Sequence, residues 1–372
     1  MREQYLKRYQ VVMRVLGPVF VGSGREIGKK EYVFVNSRQV GIVDIQKLYH
    51  EMTKRRKQVA FEEYLLGSYN LGLAMWLRKQ NIKVGEIQPL IKYQLDCGDA
   101  VDESNSNRLQ VLECIKDAYG NPYIPGSTLK GMFRGIMLGA DIINHDHKYQ
   151  DVKQELRKNA QYKASRTNYL KRDITAIEEL CYRTLAREGT KPNDGVNDVM
   201  QGIVISDSEP LSVEDLVLCQ KVELHTNGIE TTLPMLRECI KPNTAISFSM
   251  TIDTSVCQWT TNDLVEAVKL FIKNYYTHFA AAFTKIGAPK TNYVFCGGGC
   301  GFVSKTIVYP LYGKKEGMEL TQTIFGKTGV PRNHKHDKDK LYGASPHIMK
   351  CTKYQGKTIP MGMCKIESIK AY

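Results

Sequence analysis

Tyr123-Ile-Pro-Gly-Ser-Thr-Leu-Lys-Gly-Met-Phe-Arg-Gly-Ile-Met137 is the stretch on which the reading of this 372-residue chain turns. It reads as a strand end, a tight Pro125-Gly126 turn, and a helix capped by Ser127 or Thr128. Leu129, Met132, Phe133, Ile136 and Met137 recur at helical spacing and make one buried stripe. Lys130 and Arg134 lie four apart on the opposite side, beside Gly131 and Gly135. A helix start presents unpaired N–H groups and partial positive charge, so it can hold an anion such as a phosphate. Two cations strengthen that end, and two glycines permit close approach. An ordinary packing helix with solvated cations has the same pattern, and the rest of the chain has to separate the two.

Charge is the next signal. The net is +13, and its distribution is uneven: residues 285–372 hold 15 Lys/Arg against 5 Asp/Glu, while the first 284 residues hold 37 against 34. An excess confined to one region is the footprint of a polyanionic partner. Composition is that of a globular protein, 42% hydrophobic and 24% charged, long enough for one large core or two medium ones. No apolar run of eighteen residues occurs, which excludes a transmembrane helix of the usual kind, and Met1–Arg8 lacks the apolar core of a signal peptide. A cytoplasmic protein without a membrane partner is expected. Ten cysteines show no CxxC pair, so they read as buried reduced thiols rather than a disulfide framework or zinc ribbon.

Upstream, residues 9–21 read as a β-branched strand broken at Gly17-Pro18. Gly22-Ser-Gly-Arg-Glu-Ile-Gly-Lys-Lys30 reads as a flexible basic loop. Gly22, Ser23, Gly24 and Arg25 there are candidate anion contacts or simply a hairpin loop. Strands follow at 31–36 and 40–43, then Asp44 as a cap for a helix over 45–57, with helix continuing through 58–80. Residues 97–122 read as loop, strand and hairpin turn.

Downstream, residues 141–200 are polar, with a helix expected over 178–187. Strands are expected at 202–205, 216–225, 231–234 and 244–252, before a helix that Thr260 and Asp263 open with capping-box spacing. Then comes Tyr293-Val-Phe-Cys-Gly-Gly-Gly-Cys-Gly-Phe-Val-Ser-Lys-Thr306. Gly297, Gly298, Gly299 and Gly301 let backbone approach a phosphate–sugar chain, with Phe302 for stacking and Lys305 for pairing. A glycine turn between strands is the alternative, and the charge excess of this region favours the RNA reading. His145-Asp-His147 reads as an exposed pair. His334, His336 and His347, with Cys351 or another distant ligand, read as an incidental set; no metal or cofactor is expected.

The Ile124–Gly131 motif with Arg134 resembles the helix-opening motif of the RAMP proteins, the repeat-associated RNA-binding subunits of CRISPR effector complexes. Pro18-Val-Phe-Val-Gly-Ser-Gly24, Glu31-Tyr-Val-Phe34, Ile205-Ser-Asp-Ser208, Gly297–Leu311, Ser345-Pro-His-Ile-Met-Lys350 and Met361–Lys365 extend the likeness over nearly the whole chain. Their order is similar to that in the fifth-subunit family of type III-A CRISPR (Csm) complexes. At Val19-Phe20 many relatives carry His-Ile, so no histidine role is carried over there.

The resemblance implies an α+β protein: a ferredoxin-like (RRM-like) RAMP palm with insertions, plus a second β/α part. It divides as residues 1–140, the palm with a helical insertion; 141–200, a polar helical insertion; and 201–372, the rest of the palm and a basic C-terminal region. It implies a non-catalytic subunit at the 3′ end of the CRISPR RNA (crRNA), ending the filament of repeated backbone RAMP subunits near the small subunit. That position would meet host nucleases that trim the guide. Ser127, Thr128, Lys130, Arg134 and the two glycine-rich segments would touch RNA or a neighbouring subunit. The alternative is a metal-independent RAMP endoribonuclease with His225 or His278 as general base. It needs an acid/base pair near a lysine, and the histidines are far apart in sequence, none of them expected beside the glycine loop.

Overall fold

The computed structural model describes residues 5–68, 71–100, 110–162, 168–331 and 334–372. Met1–Gln4, the middle of the 97–122 loop and Arg332 of the basic C-terminal region lie outside them. Strand β1 (Leu6–Val15) buries Val11, Met13 and Val15 and turns Gln10 and Arg14 away, the period-two pattern of a sheet with one covered face. After the Gly17-Pro18 break come β2 (Gly22–Ile27), β3 (Tyr32–Asn36) and β4 (Gln39–Val43). The 22–30 segment expected as a loop is therefore strand over most of its length. Its glycines and charges mislead because β2 pairs only with a later strand and leaves five of six residues exposed.

Asp44 caps α1 (Ile45–Lys54), accepting the Lys47 N–H at 3.1 Å. α2 (Gln58–Leu66) and α3 (Leu73–Lys79) close a satellite core of Leu48, Phe61, Tyr64, Trp76 and Leu77 against Val33 and Val43. β5 (Ile91–Asp96) and β6 (Val111–Cys114) lead into α4 (Gly126–Asn144), the helix of the quoted stretch. α5 (Gln150–Asn159) and α6 (Lys171–Tyr182) follow; the helix expected over 178–187 starts and ends earlier.

β7 (Ile203–Ile205), β8 (Leu216–His225), β9 (Glu230–Ile240) and β10 (Ala245–Asp253) precede α7 (Thr261–His278), which Thr260 and Asp263 open with a capping box. The chain finishes with β11 (Tyr293–Phe295), α8 (Val308–Lys327), α9 (Asp339–Tyr342), β12 (Ile348–Tyr354), β13 (Lys357–Pro360) and β14 (Met363–Ala371).

These elements form an α+β fold on two sheets. One is antiparallel, in the order β11-β14-β1-β10-β7, and takes neighbouring strands from both ends of the chain. Helices α4 and α7 pack on its apolar face, where Phe133 meets Phe248 with ring centroids 6.3 Å apart. The other runs β2-β6-β9-β8-β5-β4-β3, with β12 and β13 joined through β8. One core cluster spans both sheets: Val11 and Met13 share it with Val19, Ile27, Ile42 and Leu95. All ten cysteines are free and buried, as the absence of paired spacing implied. No helix among the described residues is long and apolar enough to cross a membrane.

Candidate nucleic-acid interface

The start of α4 is built by a turn eighty residues away. The Gly126 N–H donates to Asp207 Oδ1 at 2.7 Å, and Ser208 Oγ accepts the Ile124 N–H at 2.9 Å. Contrary to the sequence reading, neither Ser127 nor Thr128 caps the helix; Pro125 occupies the N-cap and Asp207 supplies the carboxylate. Gly126 is required because a Cβ there would sit 2.3 Å from the Ile205 carbonyl oxygen. Ser127, released from capping, is exposed.

From Ser127 the outer face of α4 runs through Gly131, Gly135 and Gly139, each four residues on. These positions line a groove of about 420 Å³. Gly22, Thr128, Gly297, Gly298, Lys305 and the α7 residues Phe271, Asn274 and Tyr275 complete its walls. Six of the residues singled out in sequence (Gly22, Ser127, Thr128, Gly297, Gly298 and Lys305) thus share one concave surface. Lys305 is exposed there and forms no ion pair among the described residues.

Lys130 and Arg134 do not line this groove. Arg134 reaches Asp198 at 2.9 Å and Glu178 at 3.2 Å, its guanidinium 3.9 Å from the Tyr182 ring centroid. Burial opposes its charge, but the two carboxylates outweigh burial and raise its pKa. Arg134 clamps residues 178–198 onto α4. Lys130 is half-buried; burial draws its ammonium below the usual lysine value, with Asp198 opposing and Arg134 adding.

The glycine loop is zipped to the break after β1. The Gly298 N–H donates to the Phe20 carbonyl at 2.6 Å, and Gly297, Gly299 and Gly301 adopt φ of 80°, 79° and 90°. Phe302 sits partly buried, edge-on to Phe325 at 5.3 Å. Burial pushes the Cys296 thiol up to about 12 and that of Cys300 to about 11, so both are protonated packing groups at neutral pH.

On β2, Ser23 Oγ donates to Glu113 at 3.1 Å, while Arg25 pairs with Glu31 and lies 3.5 Å from Glu113. Gly24 has open space where a Cβ would be. The β2 candidates therefore divide, with Gly22 in the groove and Ser23 and Arg25 in a surface ion network.

Two features escape sequence reading. Arg237 lies against Gly299, whose Cβ would be 3.0 Å from an Arg237 guanidinium nitrogen, and its guanidinium covers the Phe20 ring at 5.4 Å. Its Nε is buried with no hydrogen-bond partner, and no carboxylate pairs with it among the described residues. The adjacent charges Arg237 and Glu238 between apolar residues in Leu236-Arg-Glu-Cys-Ile240 were the available signal. The second feature is histidine. His334 and His336 line a smaller cavity of about 160 Å³ with Gly301, Phe302 and Lys350, so histidines do reach the glycine loop, contrary to expectation. His225 stands 5.8 Å from His347, whereas His278 stacks on Tyr309 at 6.2 Å and is not among the residues lining that cavity.

A family model described as the RAMP superfamily matches residues 12–304, a span that holds the α4 motif and the glycine loop together. The chain belongs to the RAMP superfamily. Among curated proteins, this RAMP chain is 28% identical to the CRISPR system Cms protein Csm5 of Mycobacterium tuberculosis, over 99% of both chains. It is 26% identical to that of Streptococcus thermophilus, over 82% of both. Among solved structures, a chain of the Csm–crRNA–target RNA ternary complex of a type III-A system overlays with a TM-score of 0.65 at 17% identity, covering 96% of this chain and all of that one. T. onnurineus Csm5 overlays with a TM-score of 0.58 at 14% identity, covering 95% and 99%. The fold shared with these two structures extends over essentially the full length of this chain.

Proposed function

We propose that this RAMP chain is a non-catalytic crRNA-binding subunit of a type III-A Csm effector complex. It caps the 3′ end of the guide, ends the filament of repeated backbone subunits beside the small subunit, and meets trimming nucleases there in the cytoplasm. The observation that carries the RNA reading is the groove in which the start of α4 and the glycine loop face each other, lined also by Lys305, which has no ion pair among the described residues. The full-length likeness to Csm5 proteins supports the complex. In this reading the sheet β14-β1-β10-β7 with α4 and α7 is a ferredoxin-like palm. Supporting it are two β-α-β crossovers, β1-α4-β7 and β10-α7-β14, each enclosing a strand of the other. Residues 1–140, 141–200 and 201–372 are its palm with helical insertion, polar insertion and basic remainder.

The test is binding of single-stranded repeat-derived RNA across a salt series. Lys305→Ala and Arg237→Ala should each weaken binding by about tenfold and leave the fold intact. Each lost phosphate contact should reduce the slope of log K against log salt by about 0.7. The RNA should remain uncut. Binding that ignores salt would overturn the phosphate reading, and cleavage lost in His334→Ala or His225→Ala would establish the nuclease instead.

A second experiment separates packing from binding. A Cβ added at Gly131 or Gly135 meets nothing within 4 Å, so Gly131→Ala with Gly135→Ala should stabilise the helix by about 1–2 kcal/mol. Leucine at both positions fills the groove and should lower RNA affinity without lowering the melting temperature. Unchanged affinity would place the RNA elsewhere.

A further inference from the structure

Beyond the groove, the chain gathers His336, Asp339 and His347 into one cluster whose ligand atoms all lie within 4.8 Å of one another. His336 lies in the turn leading into α9, Asp339 opens α9, and His347 immediately precedes β12, so the two ends of one short segment converge here. The Asp339 side chain is wholly buried and each imidazole is about nine-tenths buried. His336 Nδ1 stands 3.2 Å from both Asp339 oxygens, His347 Nδ1 stands 2.5 Å from Oδ1, and Ser345 Oγ donates to Oδ2 at 2.6 Å. Among the described residues no lysine or arginine pairs with Asp339; Lys340, next in sequence, is bound to Glu319. A carboxylate removed from water this completely needs compensation from hydrogen-bond donors or from a positive charge. In this cluster the partner facing it is either the imidazole N–H groups or a cation held between the two rings.

We propose that the partner is a divalent transition-metal ion, Zn²⁺ being the probe of choice, bound by His336, Asp339 and His347. Two imidazole nitrogens and one carboxylate oxygen, with no thiolate, are a donor set for zinc and its neighbours rather than for calcium or magnesium. Tetrahedral ligands at about 2.0–2.1 Å from zinc stand about 3.3 Å from each other. The His336–Asp339 spacing already matches, His347 would step back slightly, and the two rings would close toward one another. Three protein ligands leave a fourth position for water or a nearby side chain. Bound metal would tie α9 to the start of β12. It would thereby fix the wall of the smaller cavity, where His334, His336 and Lys350 meet Gly301 of the glycine loop. The inference stands independently of the RNA reading, because its test uses the full chain without RNA.

The purified chain, stripped by chelator and dialysed, is titrated with Co²⁺ and with Zn²⁺ against a chromophoric competitor. One equivalent should bind, with a visible Co²⁺ absorption that Zn²⁺ abolishes. His336→Ala and His347→Ala should each weaken Zn²⁺ binding by about tenfold or more. Asp339→Asn tests the carboxylate, and His336→Gln serves if it fails to fold. His147→Ala, in the His145–His147 pair on the connector after α4, should change nothing. Absence of stoichiometric binding to folded wild type would overturn the proposal. So would binding that survives in the His336→Ala/His347→Ala double variant, and Asp339 would then be held by the imidazole and Ser345 donors alone.

Discussion

Replacing Glu238 by alanine should lower stability by about 3–5 kcal/mol, among the largest effects expected of any single side chain here. Glu238 is fully buried in β9 and joins three strands. It accepts the Cys114 N–H of β6 at 3.0 Å, the Tyr93 hydroxyl of β5 at 2.6 Å, and the Lys116 ammonium at 2.5 Å. Lys116 is itself nine-tenths buried and lies 4.7 Å over the Tyr93 ring. Alanine would leave a buried ammonium, a hydroxyl and an amide short of their shared acceptor, and each shortfall costs desolvation without return. Lys116 would keep Glu113 at 3.7 Å and the Cys114 carbonyl at 3.4 Å, so much of the loss is its weakened pairing rather than the intrinsic worth of the Glu238 pair. Glu238→Ala combined with Lys116→Met should therefore recover a substantial part of it. Urea midpoints of the single and double variants measure this. A double variant no more stable than Glu238→Ala would mean that the acceptor for Tyr93 and Cys114, not the weakly paired lysine, dominates.

What was readable in advance follows from the range of the interaction that sets each feature. Asp44 and the Thr260–Asp263 box act on helices that begin beside them, so local sequence reveals both. β8 is legible at its observed bounds because its apolar residues Leu216, Val217, Leu218, Cys219, Val222 and Leu224 are buried between neighbours on both sides. The cap of α4 was misassigned because its carboxylate comes from Asp207, and local spacing offered Ser127 and Thr128 instead. Arg134 looked free on a helical wheel; Glu178 and Asp198, which neutralise it, lie 44 and 64 residues away. β2 was hidden by composition, since an edge strand with its side chains in solvent needs no apolar alternation. The histidines present the same difficulty: only the turn around α9 brings His336 and His347 to one carboxylate. The groove was legible as two motifs, and the fold supplies their juxtaposition.

Gly297→Val should cost more than about 4 kcal/mol, the range reserved for changes that force the backbone itself to move. Gly297 and Gly299 look interchangeable in the run Gly297-Gly-Gly-Cys-Gly301, and both have φ near 80°, where an L side chain costs about 1–2 kcal/mol. Their surroundings differ. A Cβ at Gly297 would lie 2.3 Å from the Phe20 carbonyl oxygen, the atom that accepts the Gly298 N–H and pairs the loop with the chain after β1. Backbone cannot swing aside without breaking that pairing, and Val19 of the same segment is wholly buried in the main core. A Cβ at Gly299 would instead meet the Arg237 guanidinium at 3.0 Å, the far end of a flexible side chain that can move. Gly299→Val should fold, at a cost of about 1–2 kcal/mol for its φ, while displacing Arg237 from the Phe20 ring and weakening RNA binding. Thermal unfolding of the two variants beside wild type decides the matter: equal melting temperatures would mean that the Phe20–Gly298 pairing does not hold the loop, and that the groove beside it is not a preformed surface.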